Sequence, residues 1–222
     1  MIKVQRPVSL TEIATIKIRE AIINNDFMLG QPLSESILAA SMEISKTPVR
    51  EALAKLKSEG LVVIVPHSGT YVFTMELDDL AELLEYRYVL EISAVKSSLH
   101  KNSNLLVSDI LEISNEMEVA LKSQDIKEYV RLDFLFHQAF FKFCENRYLS
   151  DAYTLILAKI RSLQTRIAIK ETDRSFSFRE HIDIYNSIKK KNIEEIFIKL
   201  KEHFERTTRS YKECKDEIEV FN

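Results

Sequence analysis

The chain has 222 residues, of which 45% are apolar and 29% charged, and its formal net charge is −3. This composition is typical of an ordinary globular domain protein and argues against a fibrous or strongly basic one. Apolar runs fall short of the ~20 residues that a spanning helix needs, and the start of the chain lacks a signal-peptide pattern. Two distant cysteines, Cys144 and Cys214, lack metal-ligand spacing. We therefore expect a reduced, cytoplasmic protein without a membrane segment.

Glycine and proline are confined to one end of the chain. All three glycines and all four prolines lie within the first 70 residues. Because these residues punctuate strands and tight turns, the remainder is predicted to be helical with polar connectors. We place a domain boundary near residues 74–78, which gives a domain 1–75 and a domain 76–222. Residues 1–75 carry 8 basic and 7 acidic side chains, and the rest carries 23 and 27, so positive charge is local.

The first piece begins with two predicted helices. Ser9 is a possible N-cap for a helix that extends to about residue 25, and Ser34 stands at the start of a second helix. In the first helix, Leu10, Ile13, Ile16 or Lys17, and Glu20 or Ala21 follow a helical period. The second helix is predicted to carry Ile37, Leu38 and Ala39 on its inward face.

The stretch SKTPVREALAKLKSEG predicts a third helix with marked ends. Ser45 is its predicted N-cap, Pro48 occupies its first turn and Gly60 ends it. Its predicted buried stripe is Val49, Leu53 and Leu56. The following segments LVVIV, PHSG and TYVF predict a two-stranded hairpin. Two helices, a turn, a third helix and a hairpin are the elements of a winged helix-turn-helix.

The front of the third helix carries positive charge. In a winged helix-turn-helix this end enters the major groove, and the hairpin wing lies against the DNA backbone or minor groove. Lys46 and Arg50 suit contacts to phosphate or guanine. The alternative is a capped amphipathic helix with a solvated, charged face, which the pattern alone leaves open.

The stretch SKTPVREALAKLKSEGLVVIVPHSGTYV closely resembles the recognition helix and wing of the GntR family of transcription regulators, and the resemblance covers about residues 9–73. It implies DNA contacts from Ser45, Lys46, Thr47 and Arg50, and from His67, Ser68 and Gly69 at the wing tip. Lys46 replaces the usual arginine, so a bidentate contact becomes a point-charge contact there. Ser36 stands where some relatives have an arginine, so the operator sequence does not transfer.

The second piece is predicted to form a bundle of six helices, at about 77–100, 104–122, 125–145, 149–170, 175–190 and 193–217. Asp133 and His137 lie four residues apart and therefore share a helix face. His181 and His203 continue apolar stripes on two later helices. Three inward imidazoles and one carboxylate form a ligand set suited to a divalent metal. The alternative is that each histidine is a hydrogen-bonded core residue and that Asp133 and His137 form an ordinary helix pair.

The second piece also resembles the FCD-type effector domain of the FadR subfamily, in its VanR-like branch. The family pattern D-x-x-F-H corresponds to Asp133, Phe136 and His137, and E-H-x-x-I corresponds to Glu180, His181 and Ile184, with a final histidine at His203. The resemblance implies a bound Zn²⁺, Ni²⁺ or Mn²⁺ held by Asp133, His137, His181 and His203.

The same resemblance implies a receptor for a small organic or sugar acid. An anion would complete the coordination of the ion and offset its charge. Arg87 matches a family arginine on the first helix of the domain and is the candidate clamp for the carboxylate, with a solvated surface arginine as the alternative. Arg161 and Arg166 are weaker candidates.

The sequence therefore predicts a ligand-controlled transcription regulator. Repression is the commoner mode of action in the family that it resembles. A homodimer would present two recognition helices to a near-palindromic operator, and the effector would act through its differential affinity for two states. One alternative is a regulator for which the metal itself is the signal. Another is a metalloenzyme, which leaves the winged helix unexplained and lacks an evident general base. We therefore expect no enzyme activity.

Overall fold

A computed structural model describes residues 8–220, with side chains described to residue 213, so Cys214 lies outside the described side chains. The chain divides between Thr74 and Met75 into two compact units. The first unit contains helices and a small antiparallel sheet, and the second is helical. This confirms the predicted fold class of a winged helix-turn-helix followed by a helical domain. In the described part of the chain, none of the helices combines the length and apolar character needed to span a bilayer.

The first unit consists of α1 (Leu10–Ile23), β1 (Pro32–Leu33), α2 (Glu35–Met42), α3 (Lys46–Ser58), β2 (Val62–Val65) and β3 (Gly69–Val72). The strands form an antiparallel sheet in the order β1-β3-β2. The predicted hairpin of two strands was therefore incomplete, because Pro32 and Leu33 pair with Tyr71 and Thr70. A lone two-stranded hairpin is marginally stable in water, and the added strand anchors the wing to the helices.

The buried face of α1 is not the stripe whose spacing indicated the helix. Ala14, Ile18 and Ile22 are buried, spaced four residues apart, and α1 packs on α3 through this side. Leu10, Ile13 and Ile16, which indicated the helix, are exposed. The helix carries two competing apolar stripes, and only packing against α3 determines which one is buried.

One residue of α2 also departs from its predicted burial. Leu38 and Ala39 are buried as predicted, but Ile37 is 70% exposed. Neighbouring residues on a helix are turned about 100° from each other, so a short helix that buries positions 38 and 39 points position 37 outward.

Helix α3 buries Val49, Leu53 and Leu56, as predicted. It ends in a Schellman motif, in which Gly60 has a φ of +71° and Leu61 N–H bonds to the Leu56 carbonyl at 3.0 Å. At the other end Ser45 occupies the N-cap position, but among the described contacts its hydroxyl makes no capping hydrogen bond. The predicted capping interaction was wrong, which leaves the Ser45 hydroxyl and the first N–H groups of the helix available to another partner.

The second unit consists of α4 (Leu77–Lys122), α5 (Ile126–Lys142), α6 (Arg147–Ile167), α7 (Glu171–Lys189) and α8 (Ile193–Val220). The first two predicted segments are both part of α4, which bends at Asn102, where φ is −140° and ψ is 41°. The polar KNSN segment, predicted to be a connector, is therefore a kink inside one long helix.

Side chains around this kink bind the end of α5. The amide of Asn102 donates to the Phe143 carbonyl at 3.0 Å, and Lys101 Nζ donates to the Cys144 carbonyl at 2.9 Å. One turn earlier, Ser98 Oγ donates to the Phe140 carbonyl at 2.6 Å. These bonds satisfy carbonyls that a helix leaves unpaired at its C-terminus. They fix the position of α5 along α4, and α4 also contacts α6, α7 and α8.

Candidate functional site

The N-terminal end of α3 is an exposed polar surface. Ser45, Lys46, Thr47 and Arg50 are all exposed. The first turn contains no acidic residue, so the positive end of the helix dipole is not offset there. Arg50 is 69% exposed along its side chain, and its Nη2 lies 2.8 Å from Glu35 Oε2 on α2. This ion pair orients the guanidinium at the surface.

The tip of the wing is exposed as well. His67 and Ser68 lie in the turn between β2 and β3, and Gly69 is the first residue of β3. Gly69 has a φ of +139°, a conformation that strains residues with a side chain, and His67 has a φ of +61°. The hydroxyls of Ser68 and Tyr71 share a hydrogen bond of 2.8 Å. The tip is therefore a defined turn that presents an imidazole and backbone groups to solvent.

In the second unit, three helices bring three imidazoles together. His137 on α5, His181 on α7 and His203 on α8 are buried, and one ligand atom of each lies within 4.8 Å of the others. The Nε2 atoms of His137 and His181 are 3.1 Å apart. Two imidazole nitrogens bound to one ion at about 2.1 Å are separated by about 3.0 to 3.4 Å for angles of about 90° to 109°. The separation of His137 and His181 therefore matches that of two ligands on one divalent metal ion, and a ligand atom of His203 lies within 4.8 Å of theirs.

Two of these histidines are held by carboxylates. His137 Nδ1 lies 2.8 Å from Glu91 Oε2, and His203 Nδ1 lies 2.6 Å from Glu180 Oε2. A carboxylate accepts the Nδ1–H proton and so leaves the Nε2 lone pair for a metal. Burial lowers the pKa of all three histidines well below the ordinary value, which favours the neutral imidazole that binds a metal.

Asp133 lies beside the histidines but is not one of the three converging groups. Its Oδ1 is 3.5 Å from His181 Nε2. The carboxylate also accepts hydrogen bonds from the amide of Gln164 and, at 3.4 Å, from the hydroxyl of Ser177. Burial raises the pKa of Asp133 to about 6, partly opposed by Arg87. Asp133 is thus hydrogen-bonded to Gln164 and Ser177 rather than to His137, and it lies next to His181.

Arg87 is buried rather than solvated, since only 1% of its surface is exposed. Its Nε donates to Glu91 Oε1 at 2.6 Å, and its guanidinium carbon lies 4.8 Å from the centre of the Phe204 ring. In the described part of the chain, its Nη2 is buried without a hydrogen-bond partner. A buried guanidinium nitrogen without a partner is costly, so this atom suits an anionic ligand.

Arg87 borders a cavity of about 40 Å³ that also reaches the histidine cluster. Its polar lining includes Asp133, Gln164, Arg174, His203 and Arg206. A cavity of this volume admits the carboxylate end of an acid but is too small for a whole sugar acid, because pockets for such ligands measure about 300 Å³ or more. A larger acid would require the lining side chains to move.

Other features of the second unit fit an anion less well. Arg161 lies over the Phe134 ring at 5.0 Å, and Arg166 donates to the Ser162 carbonyl at 2.7 Å. Among the described residues that line the small cavity, neither arginine appears. A larger cavity of about 440 Å³ lies between α4, α5 and α6, and its charged lining is mainly acidic: Asp109, Glu112 and Glu116, with Lys142. That lining does not suit a carboxylate.

The sequence prediction missed the groups that support the histidines. Glu91 lies 46 positions before its partner His137, and Glu180 lies 23 before His203. Such separations leave no local spacing to detect. For Glu91, the position on the buried face of a helix, where an acid is uncommon, was the available signal. Glu180 is half-buried, and the sequence pattern named it beside His181 without giving it a role.

Comparison with known proteins gives matches over most of the chain. The sequence model of the family described as "Bacterial regulatory proteins, gntR family" matches residues 10–72, and that of the "FCD domain" matches residues 82–206. The chain is similar to the gluconate operon transcriptional repressor of Bacillus subtilis, with 27% identity over 164 residues, 72% of this chain and 67% of that protein. An uncharacterised regulator of Streptomyces ambofaciens is 32% identical over 123 residues, 55% of this chain. The chain spans about half, 51%, of that relative's length.

Solved structures show the same fold at low sequence identity. A GntR-type regulator from Rhodococcus sp. RHA1 has a TM-score of 0.77 at 21% identity, over 92% of this chain and 98% of the other. The Escherichia coli protein McbR/YncC has a TM-score of 0.76 at 20% identity, over 93% and 99%. These similarities concern the arrangement of helices and strands.

Proposed function

Since the chain belongs to the GntR family of DNA-binding transcription regulators, in the group that carries an FCD domain, we propose that it is a repressor controlled by a small carboxylate. In this proposal the predicted domain 1–75 binds operator DNA, and the predicted domain 76–222 holds a divalent metal and the acid. The metal set is Asp133, His137, His181 and His203, and the anion clamp is Arg87. The relatives with assigned roles are named as regulators of transcription rather than as enzymes.

DNA binding is assigned to the end of α3 and the wing. The exposure of Ser45, Lys46, Thr47 and Arg50 at the positive end of a helix supports this assignment. His67, Ser68 and Gly69 are exposed at the tip of the wing, where they can contact the DNA backbone or the minor groove. A homodimer would place two such surfaces on a near-palindromic operator, with half-sites about one helical turn apart.

The metal assignment is supported by the convergence of three neutral imidazoles. Mixed histidine and carboxylate ligands suit Zn²⁺, Ni²⁺ and Mn²⁺ alike. A bound ion would supply a buried positive charge with coordination positions left for an anion. His137 and His203 would be oriented by their glutamates, and Asp133 would contribute a charged oxygen from the same side as His181.

One observation favours an acid over a neutral effector: buried Arg87, whose Nη2 has no hydrogen-bond partner among the described residues, borders the same cavity as Asp133 and His203. A carboxylate there would accept a charge-assisted hydrogen bond from Arg87. The similar Bacillus subtilis protein is named for a gluconate operon, so gluconate belongs in the first panel of acids. Acid binding alters repression only through a difference in affinity between two states of the protein.

The test is a calorimetric titration of purified, metal-analysed protein with a panel of small carboxylates, including acetate, citrate and gluconate. His181→Ala removes a metal ligand, and His100→Ala, an exposed histidine on α4, is the matched control. We expect an acid to bind the wild type and the control and to fail with His181→Ala. Acid binding that survives in His181→Ala would contradict a metal-dependent effector site.

A regulator that senses the metal alone is the second candidate. It is favoured by the small volume of the cavity, about 40 Å³, which leaves little room for an organic ligand. In that case DNA affinity would change with free metal concentration, and no acid of the panel would alter it. An affinity for DNA that depends on an acid at saturating metal would exclude this candidate.

A further inference from the structure

Two chains of hydrogen-bonded side chains link the cavity to the histidine cluster. In the first, Glu91 uses both oxygens: Oε1 accepts from Arg87 Nε at 2.6 Å, and Oε2 accepts from His137 Nδ1 at 2.8 Å. Arg87, Glu91 and His137 are all at most 1% exposed. One carboxylate thus holds both a metal-binding histidine and the arginine that faces the cavity.

The second chain repeats this arrangement on other helices. Glu180 Oε2 accepts from His203 Nδ1 at 2.6 Å, and both oxygens of Glu180 lie 2.8 Å from Arg206 Nε. Arg206, like Arg87, lines the small cavity. The order of side chains, arginine then glutamate then histidine, is the same in both chains.

His181 differs from the other two histidines. Its Nδ1 faces Ser177 Oγ at 3.5 Å, which is long for a hydrogen bond to an uncharged hydroxyl. The ring is instead held by packing, with the Phe136 ring centre 4.4 Å away. The histidine cluster therefore contains two ligands held by charged partners and one held mainly by its apolar surroundings.

We propose that Glu91 and Glu180 are positioning residues that set metal affinity and acid affinity together. Each glutamate fixes a histidine for the metal and an arginine for the cavity, so the loss of one carboxylate disturbs both. This inference rests on the proposed function and specifies which residues couple its two ligands.

Substitution of Glu91 by glutamine tests the proposal directly, because it removes one hydrogen-bond acceptor. Glu91→Gln keeps the size of the side chain but replaces one acceptor oxygen with an NH₂ donor. Arg87 Nε and His137 Nδ1 both donate to Glu91, so the amide can satisfy only one of them. The other would face a donor, and either the histidine or the arginine would turn away. Partners of this kind change metal affinity roughly 10- to 100-fold when they are removed.

The experiment measures Zn²⁺ affinity by competition with a chromophoric chelator in the full chain. The variants are Glu91→Gln and Glu180→Gln, with Glu85→Gln, an exposed glutamate on α4, as matched control. We expect both site variants to bind Zn²⁺ roughly 10- to 100-fold more weakly than the wild type, and the control to be unchanged. Ser177→Ala should change the affinity less than either, since its contact with His181 is long.

A second readout separates positioning from general loss of structure. The visible absorption spectrum of the Co²⁺-substituted protein reports the geometry of the ligands. We expect it to change in Glu91→Gln and Glu180→Gln while the far-ultraviolet circular dichroism remains that of the wild type. Glu180 is half-buried, so Glu180→Gln keeps the test decisive if Glu91→Gln fails to fold. The acid identified by the panel, or acetate if gluconate and citrate do not bind, should also bind both variants more weakly.

The outcomes distinguish this inference from the proposed function. If the wild type binds Zn²⁺ and an acid, but the glutamine variants match Glu85→Gln in both affinities and in the spectrum, the inference is wrong and the proposed function stands. A loss of Zn²⁺ affinity with acid affinity unchanged would also overturn it, because the two are then set separately. If the wild type binds neither Zn²⁺ nor Co²⁺, both the inference and the proposed function are wrong.

Discussion

At the scale of single residues, one histidine from each of three helices forms the candidate metal site. His137, His181 and His203 each continue an apolar helix stripe, so their inward direction was predictable, and the structure places them together. Glu91 was not predicted, because a buried acid acquires its role only from contacts across helices. The burial of Arg87 was likewise undecided by sequence, since an arginine on an amphipathic helix is usually solvated.

Arg50 is the residue whose proposed contact with DNA can be tested most directly. It points from α3 into solvent and is oriented by Glu35. We expect Arg50→Ala to weaken binding to DNA selected in vitro with the wild type by about 1–3 kcal/mol, because a guanidinium contact to phosphate or guanine is lost. Fluorescence anisotropy at fixed salt concentration measures this change. Lys57→Ala, an exposed position at the other end of the same helix, is the control and should have less effect.

If Arg50→Ala and Lys57→Ala lower DNA affinity equally, the helix acts as a diffuse positive surface. The assignment of its front end to the major groove would then be wrong.

At the scale of helices and strands, the sequence predicted for most segments whether they form a helix or a strand. It predicted less well which side of each element is buried. The third helix was correctly predicted because glycine and serine mark its ends and its apolar spacing is unambiguous. In α1, two apolar stripes compete, and packing on α3 decides between them. The continuity of α4 across Asn102 could not be predicted, since polar KNSN residues suit a connector as well as a helix kink.

The kink in α4 gives a prediction for stability. Asn102→Ala removes the amide that donates to the Phe143 carbonyl and to Glu145 Oε1, at 3.0 and 2.9 Å. We expect the free energy of unfolding to fall by about 1–2 kcal/mol, because two hydrogen bonds are lost. Urea denaturation followed by circular dichroism measures the difference.

Asn104→Ala is the matched control for this prediction, since Asn104 is exposed two residues further along α4. It should leave the stability unchanged or raise it slightly through helix propensity. Equal effects of the two substitutions would show that the amide bonds of Asn102 do not stabilise the bend.

At the scale of the whole molecule, the two units carry separate chemistry. The first has an exposed basic helix end, and the second encloses three histidines, two glutamates and an arginine. Two features of the sequence predicted that the units differ. Positive charge is concentrated at the front of the third helix, and all glycines and prolines lie within the first 70 residues. That Arg87 and His203 line the same small cavity could be seen only in the structure, because the two residues stand 116 positions apart in the sequence.

Metal binding should stabilise the second unit. A ligand that binds only the folded state at 100 times its Kd stabilises that state by about 2.7 kcal/mol. We therefore expect Zn²⁺ to raise the unfolding temperature and a chelator to reverse the effect, as measured by differential scanning calorimetry. Exchange of backbone amide hydrogens should slow in α5, α7 and α8, which carry the three histidines.

His137→Ala should abolish the effect of Zn²⁺, and His100→Ala should retain it. Stabilisation of equal size in both variants would mean that Zn²⁺ acts elsewhere on the protein.

The second unit draws its candidate site from α4, α5, α7 and α8, whereas the surface assigned to DNA is complete within the first 74 residues. During translation, domains generally fold in the order in which they emerge from the ribosome. The α3 end and the wing are therefore made well before His203 is added. A nonsense mutation between the codons for Val72 and His203 would encode a chain with the surface assigned to DNA and without the full set of histidines. Truncation of the gene in this interval would separate attachment to the chromosome from response to a signal.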